Sequence, residues 1–285
     1  MKTIFPKTTW RLIRDTTASG AWNMAVDEAI LENIGRGGAP ATLRLYAWSP
    51  PCLSLGYSQP FAEVDLDALG RLGWDLVRRP TGGRAILHTD ELTYSIAGPH
   101  EDPRLVGSVL ESYRVLSTAL LYALHLLGIQ AESLEQPQPA EVPGNPNAAA
   151  DRFGPVCFEV PSNYEITVNH KKLIGSAQAR RKEGVLQHGS LPLIGDLSRI
   201  LQVLRLSTLE RQQAKERLLA RAATASSVLG RSLSWEAASQ AIEQAFCERL
   251  NLEFEPGEMT PWERRRAQEL VEQKYAHPQW TERVS

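Results

Sequence analysis

The sequence predicts an α/β or α+β sheet domain that ends in a helical tail. Two observations carry that expectation. Short, partly alternating apolar runs bounded by Pro or Gly lie between residues 41 and 98 and again between 164 and 193, as strands do. Helical periodicity precedes the first group, separates the two, and continues without strand signals beyond Leu193.

Each element follows from local chemistry. In SGAWNMAVDEAILENIGRGG, Ser19 is a cap, and Met24, Asp27, Ala29, Ile30 and Ile34 recur at helical spacing until the glycines intervene, which predicts a helix over 20–34. ATLRLYAW (41–48), CLSLGYSQ (52–59), DLVRRP (75–80) and AILHTDELTYSIAG (85–98) predict strands. Val109, Tyr113, Leu116, Leu120, Leu124 and Leu127 form one face of an amphipathic helix over 105–128, ended by Gly128. Strands return at 164–168, 172–181 and 184–193. Helical stretches follow at 196–206, 208–222, 234–250 and 260–275, with Ser234 and Thr260 as caps. The implied division is a core over 1–195 and a helical C-terminal part over 196–285 packed on the same domain. The Pro-, Ala- and polar-rich stretch 131–156 is too long for a routine connection, so it reads as disordered or as part of a site, and it runs straight into Cys157.

Composition narrows the partners. Apolar residues at 42% and charged residues at 22% describe an ordinary globule, and 285 residues suffice for one large domain or a domain with a small appendage. A net charge of -2 and a pI near 6.3 give no basic footprint, so no nucleic-acid partner is expected. MKTIFPKTTWRLIRD lacks the apolar stretch of a signal peptide, and no apolar run reaches the length of a membrane span; the expectation is a cytoplasmic protein without a membrane partner. Cys52, Cys157 and Cys247 are odd in number and far apart, which suggests neither a disulfide framework nor a zinc site. A functional cysteine would act as a thiol, and no metal or cofactor is expected.

RRPTGGRAILH (78–88) sets two arginines, Pro80 and the pair Gly82 and Gly83 ahead of an apolar run that ends at His88. Glycines at a strand edge let a ligand lie against the main chain without meeting a Cβ. They serve a tight turn with solvated arginines equally well. The company favours the first reading: Arg78 and Arg79 before the pair, His88 after it, and a second turn-like stretch, Gly175, Ser176 and Ala177, preceded by Lys172.

In RRPTGGRAILH, ELTYS (91–95), CFEVPSNYEI (157–166), KKLIGSAQARRKEGVLQHGSL (171–191) and ELVEQKYAHPQW (269–280), the sequence resembles the lipoate-protein ligase and octanoyltransferase branch of the biotin/lipoyl ligase superfamily. These pieces occur in that family's order and span most of the chain. Two features resemble the single-domain octanoyltransferases more than the ATP-dependent ligases. One is the cysteine that opens CFE, where ligases typically carry a Gly-Arg-Asn-Asp type sequence; the other is Arg84, where many ligases have a third glycine.

The resemblance implies a mixed, largely antiparallel sheet flanked by helices, with a small helical C-terminal extension. It also implies transfer of an octanoyl group from acyl carrier protein to a lysine of a lipoyl domain or glycine cleavage H protein, through an acyl-Cys157 thioester. A carrier thioester is already activated, so thiolate exchange followed by amine attack needs no ATP. Lys172, fifteen residues after Cys157, is the candidate ammonium that favours the thiolate. Gly82, Gly83, Gly175, Ser176 and Ala177 would present backbone to the acyl thioester, with main-chain N–H groups for the developing oxyanion. His88 would wall the acyl pocket, and one of Arg78 and Arg79 would face the substrate mouth. His188 reads as a hydrogen-bonded strand residue, and Cys52 and Cys247 as packing residues. The same residues leave open an ATP-dependent lipoate ligase, an amidotransferase between lipoyl proteins, and a non-catalytic acyl-carrier-binding protein.

Overall fold

A computed structural model of the chain describes residues 5–134, 156 and 165–284. It opens with strand β1 (Thr8–Ala18), helix α1 (Gly20–Gly35) and strand β2 (Thr42–Trp48). Ser19 Oγ accepts from the Trp22 N–H and so caps α1. Strand β3 (Cys52–Leu55), helix α2 (Leu66–Leu72), strand β4 (Asp75–Arg78) and strand β5 (Ile86–His88) follow. These three strands form a small sheet in the order β4-β3-β5. Strand β6 (Glu91–Gly98), helix α3 (Val109–Leu126), and strands β7 (Glu132–Leu134), β8 (Glu165–Val168), β9 (Lys171–Arg181) and β10 (Gly184–Pro192) come next. The C-terminal part runs through a 3₁₀ helix (Leu197–Val203), α4 (Thr208–Arg221), α5 (Ala225–Leu229), α6 (Trp235–Leu250), strand β11 (Leu252–Pro256), α7 (Pro261–Leu270), a π turn (Val271–Tyr275) and α8 (Pro278–Thr281).

The large sheet has eight strands in the order β11-β1-β2-β6-β10-β9-β8-β7. β1 runs parallel to β11 and β2, and every other neighbouring pair is antiparallel, so the sheet is mixed and largely antiparallel. Period-two alternation divides its faces. Leu43 and Leu45 of β2 join the core under α3 and α6, whereas Tyr46 and Trp48 join the core under α1 and α7. Leu116, Leu120 and Leu124 of α3 are buried in the first core, each stabilising it by about 1.5–3 kcal/mol. Among the described residues no helix is long and apolar enough to cross a membrane.

Several sequence expectations are corrected. The 85–98 run is two strands in two sheets, because the chain turns at Thr89 and Asp90, where the Asp90 carbonyl accepts from the Leu193 N–H. The long helix starts at Val109 rather than 105, where Ser108 and Glu111 form a capping box. The 196–206 segment winds as a 3₁₀ helix, and the last predicted helix gives way at Val271 to a π turn. The region beyond Leu193 is not wholly helical: β11 pairs in parallel with β1 and forms an edge of the large sheet. Ser234 and Thr260 do cap α6 and α7, with Pro261 in the first turn of α7.

One buried ion pair ties that C-terminal part to the first strand. Arg11 Nη1 and Nη2 donate to Glu263 Oε2 and Oε1 at 2.9 and 2.7 Å, and the Glu263 residue is fully buried. Replacing Arg11 by Met strands a carboxylate in the interior and is expected to cost about 3–5 kcal/mol. Urea unfolding at neutral pH measures it, and Arg11→Met combined with Glu263→Leu is expected to recover part of the loss.

Candidate active site

A cavity of about 260 Å³ lies between the large sheet and the segment that joins β4 to β5. Its lining grades from buried to exposed. Met24, Tyr46, Trp48, His88 and Thr93 are buried, while Gly82, Gly83 and the 44%-exposed Val109 stand at its open side. Between them Gly175, Ser176 and Ala177 of β9 and Gly189 of β10 line it with small residues. A Cβ on Gly189 would stand 2.7 Å from the Gly175 carbonyl oxygen, so two backbones meet closely here.

Two hydrogen-bonded networks hold the buried end. In the first, Trp48 stacks on His88 with ring centroids 3.9 Å apart, and its Nε1–H donates to Thr93 Oγ1 at 2.8 Å. His88 Nδ1, Thr93 and Ser190 all meet Glu91 Oε1, at 2.7, 2.5 and 2.8 Å. Burial would raise the Glu91 carboxyl, but the His88 ring and the two hydroxyls hold it below its usual value. His88 Nε2 lies 2.8 Å from Ser54 Oγ, to which Arg79 Nη1 donates at 3.2 Å.

In the second network, Asp27 of α1 accepts from Arg44, Tyr46 and Ser95 at 2.9, 2.9 and 2.8 Å. His188 places Nε2 2.6 Å from Thr81 Oγ1, and its Nδ1 stands 3.5 Å from Asp27 Oδ2 without a hydrogen bond of good geometry. Burial keeps the imidazole below its ordinary pKa, despite that carboxylate. Burial acts to raise the Asp27 carboxyl; the nearby His188 ring and the Arg44 guanidinium outweigh it and hold the carboxyl low.

The structure sorts the two arginines that sequence left paired. Adjacent residues at a strand end point to opposite sides, and Arg79 lines the cavity whereas Arg78 does not. Arg78 is buried with its guanidinium on the carbonyls of Gly56, Gln59 and Thr281, at 2.7 to 2.9 Å, so it clamps the C-terminal end onto β4. Assigning Arg78 to the substrate is therefore corrected: its donors face main chain. Arg79 also braces the glycine turn, donating to the carbonyls of Gly82 and Arg84 at 2.8 Å each.

Of the remaining sequence candidates, Gly82, Gly83, His88, Lys172, Gly175, Ser176 and Ala177 all border the same cavity, although Lys172 is buried. Lys172 Nζ donates to Glu165 Oε1 at 2.9 Å, a partner that the sequence reading did not single out. Cys157 lies outside the described residues. Its sequence neighbour Val156 forms a parallel bridge with Ala85, whose own neighbours Arg84 and Ile86 border the cavity. Cys52 is fully buried, and burial next to Asp75 and Glu91 pushes its thiol well above the usual range; burial also raises Cys247. Neither has the setting of a nucleophile. Sequence reasoning also missed Met24, Tyr46, Trp48 and Gln178, which reach the cavity from α1, β2 and β9.

This layering is found in solved lipoate-protein ligases. A bipartite lipoate protein ligase from Thermoplasma acidophilum superposes with a TM-score of 0.77 at 25% identity, over 98% of each chain. Lipoate-protein ligase A bound with ATP gives 0.75 at 26% identity, over 97% of this chain and 100% of that one. The architecture is thus that of the lipoate-protein ligases. The family model for the lipoyl protein ligase A/B catalytic domain matches residues 19–247, and the chain belongs to that family. Its relatives include the octanoyltransferase LipM of Kyrpidia tusciae, 43% identical over 277 residues, which are 96% of this chain and 99% of that protein. The octanoyltransferase LipM of Symbiobacterium thermophilum is 41% identical over 283 residues, 97% and 99% of the two chains.

The geometry generates two expectations about the cavity rim and wall. Gly83 has φ +93°, and a Cβ there would stand 2.9 Å from Arg79 Nη2, whereas a Cβ on Gly82 meets nothing within 4 Å. Gly83→Ala is expected to cost about 1–2 kcal/mol and Gly82→Ala under about 0.5 kcal/mol, read from thermal melts of both. His188 holds a proton less readily in the fold than in the unfolded chain, so its contribution is intact above about pH 6.5 and is lost as the pH falls below that. Unfolding free energy should drop by up to about 1.4 kcal/mol per pH unit from this group, and His188→Gln should flatten that slope by about one proton.

Proposed function

We propose that this chain is an octanoyltransferase of lipoate biosynthesis, moving an octanoyl group from an acyl carrier protein to a lysine of a lipoyl domain or H protein. The observation that carries the reading is a cavity of about 260 Å³ walled by Met24, Tyr46 and Trp48 and bordered by Lys172, in a chain about 40% identical to octanoyltransferases over nearly its full length. Each buried CH₂ of a straight acyl chain contributes about 0.8 kcal/mol, which gives a hydrophobic slot of this kind its selectivity for an acyl group.

Cys157 is the nucleophile of this reading. Its thiolate adds to the donor thioester carbonyl, the carrier thiolate leaves and takes a proton, and the octanoyl group rests on Cys157. The neutral lysine amine of the acceptor then attacks the new thioester; the amide forms, the Cys157 thiolate departs, and the amine proton passes to a base. Lys172 favours the thiolate through its ammonium, and Glu165 orients that ammonium by the 2.9 Å contact. Backbone at Gly82, Gly83 and Gly175 to Ala177 lies along the acyl thioester and supplies N–H groups for the oxyanion. Arg79 holds the turn in which Gly82 and Gly83 sit.

A second reading, an ATP-dependent lipoate ligase, draws on the likeness to lipoate-protein ligase A bound with ATP. Free lipoic acid with ATP separates the two, because only the ligase releases pyrophosphate. Intact mass spectrometry after mixing with octanoyl carrier protein should show one added octanoyl group that hydroxylamine removes. Cys157→Ala should remain unlabelled and fail to modify the acceptor, while Lys172→Met should move the alkylation of Cys157 to higher pH. Acyl groups mapped to Cys52 or Cys247 would overturn the assignment.

A further inference from the structure

Next to the cavity lies a second, wider cleft of about 530 Å³, open to solvent. Gly82 and Gln178 line both, so a chain seated in the cavity emerges into this cleft. Arg181 and Lys274 face it, whereas Arg180 lines it with its guanidinium engaged elsewhere, donating to the carbonyl of Leu105 at 2.6 Å and to Ser112 Oγ at 3.1 Å; there is no carboxylate among its described lining residues. Exposed Arg283 adds a third cation, its guanidinium 3.8 Å above the Tyr57 ring and 4.8 Å above that of Trp280. Lys274 Nζ lies 4.3 Å from the Trp280 ring on its other interaction. Glu28 balances part of this charge, accepting from Lys274 at 2.6 Å and from Arg181 at 3.4 Å. The remaining excess is positive. Tyr57 reports the same field: contact with Arg283 lowers its phenol pKa, helped by Arg181 and Lys274.

Resting on the transferase reading above, we infer that this cleft receives the phosphate of the donor's thioester arm as an acidic carrier protein delivers the acyl group. The arm of such a carrier is anionic and must bridge the protein surface and the acyl thioester, and Gly82 and Gln178 mark that passage. Arginine is suited to phosphate by its planar fork of donors, and Arg181 and Arg283 carry it here. The acceptor is a poorer occupant, since its reacting group is a lysine ammonium before it loses its proton and the cleft repels it.

The test compares octanoyl-pantetheine with octanoyl-pantetheine phosphate as acyl donors to the full-length enzyme, alongside octanoyl carrier protein. The parental enzyme is expected to show a KM about tenfold lower for the phosphorylated arm, the scale of one charge-assisted contact. Arg181→Gln combined with Arg283→Gln should bring that ratio close to one and weaken the salt dependence of the carrier reaction, and Arg283→Lys should restore part of it. Equal ratios in parent and variant overturn the inference, as does a KM change confined to the lipoyl acceptor. Absence of acyl-enzyme from all three donors instead sinks the transferase reading on which it rests.

Discussion

Asp27 sits within α1 with 1% of its surface exposed, and four groups from three strands converge on it: Arg44 and Tyr46 of β2, Ser95 of β6 and His188 of β10. A carboxylate taken out of water is tolerated only where charge and hydrogen bonds replace hydration. That requirement fixes more than one helix. Because side chains alternate along a strand, a one-residue slip of β2 would bring Leu43 or Leu45 to Asp27 in place of Arg44. The register of the central strands and the placement of α1 over them therefore depend on a single buried charge, and the cavity is bounded by those same elements.

The cavity is a consequence of what the α1 face of the sheet carries. Most of its polar groups are engaged with one another, His188 Nδ1 being an exception, and Trp48 is braced by His88 beneath it and Thr93 at its indole nitrogen. Braced aromatics do not collapse into an adjoining void. Gly175, Ser176, Ala177 and Gly189 leave the opposite wall low, and Arg79 ties down the turn that closes the remaining side.

The C-terminal part bears on the site although its helices make few appearances in it. Lys274 and Tyr275 bond Glu28 of α1, and Trp280 Nε1 donates to the Arg78 carbonyl at 2.8 Å. Arg78 answers by holding the Thr281 carbonyl. The motif ELVEQKYAHPQW thus clamps the strand end from which the glycine turn departs, which explains a tail motif distant in sequence from the chemistry. On the far edge, β11 and the Arg11–Glu263 pair fasten the stretch just before that motif to β1.

The sequence by itself determined α1, α3 and α6 and the paired strands expected at 172–181 and 184–193, since caps, periodicity and glycine placement are local signals; Gly82, Gly83, His88, Lys172 and Gly175 to Ala177, which border the cavity, were singled out by their company and by the family resemblance. It did not reveal β1 or β11; the parallel pairing of β11 with β1 joins residues more than two hundred positions apart and leaves no local pattern. Nor did it separate Arg78 from Arg79, show that Thr89 and Asp90 divide one apolar run between two sheets, or single out Glu165 beside Lys172. Only the tertiary structure decided these, because which way a strand end faces and which carboxylate meets a buried ammonium depend on the elements packed around them, and those come from distant parts of the chain.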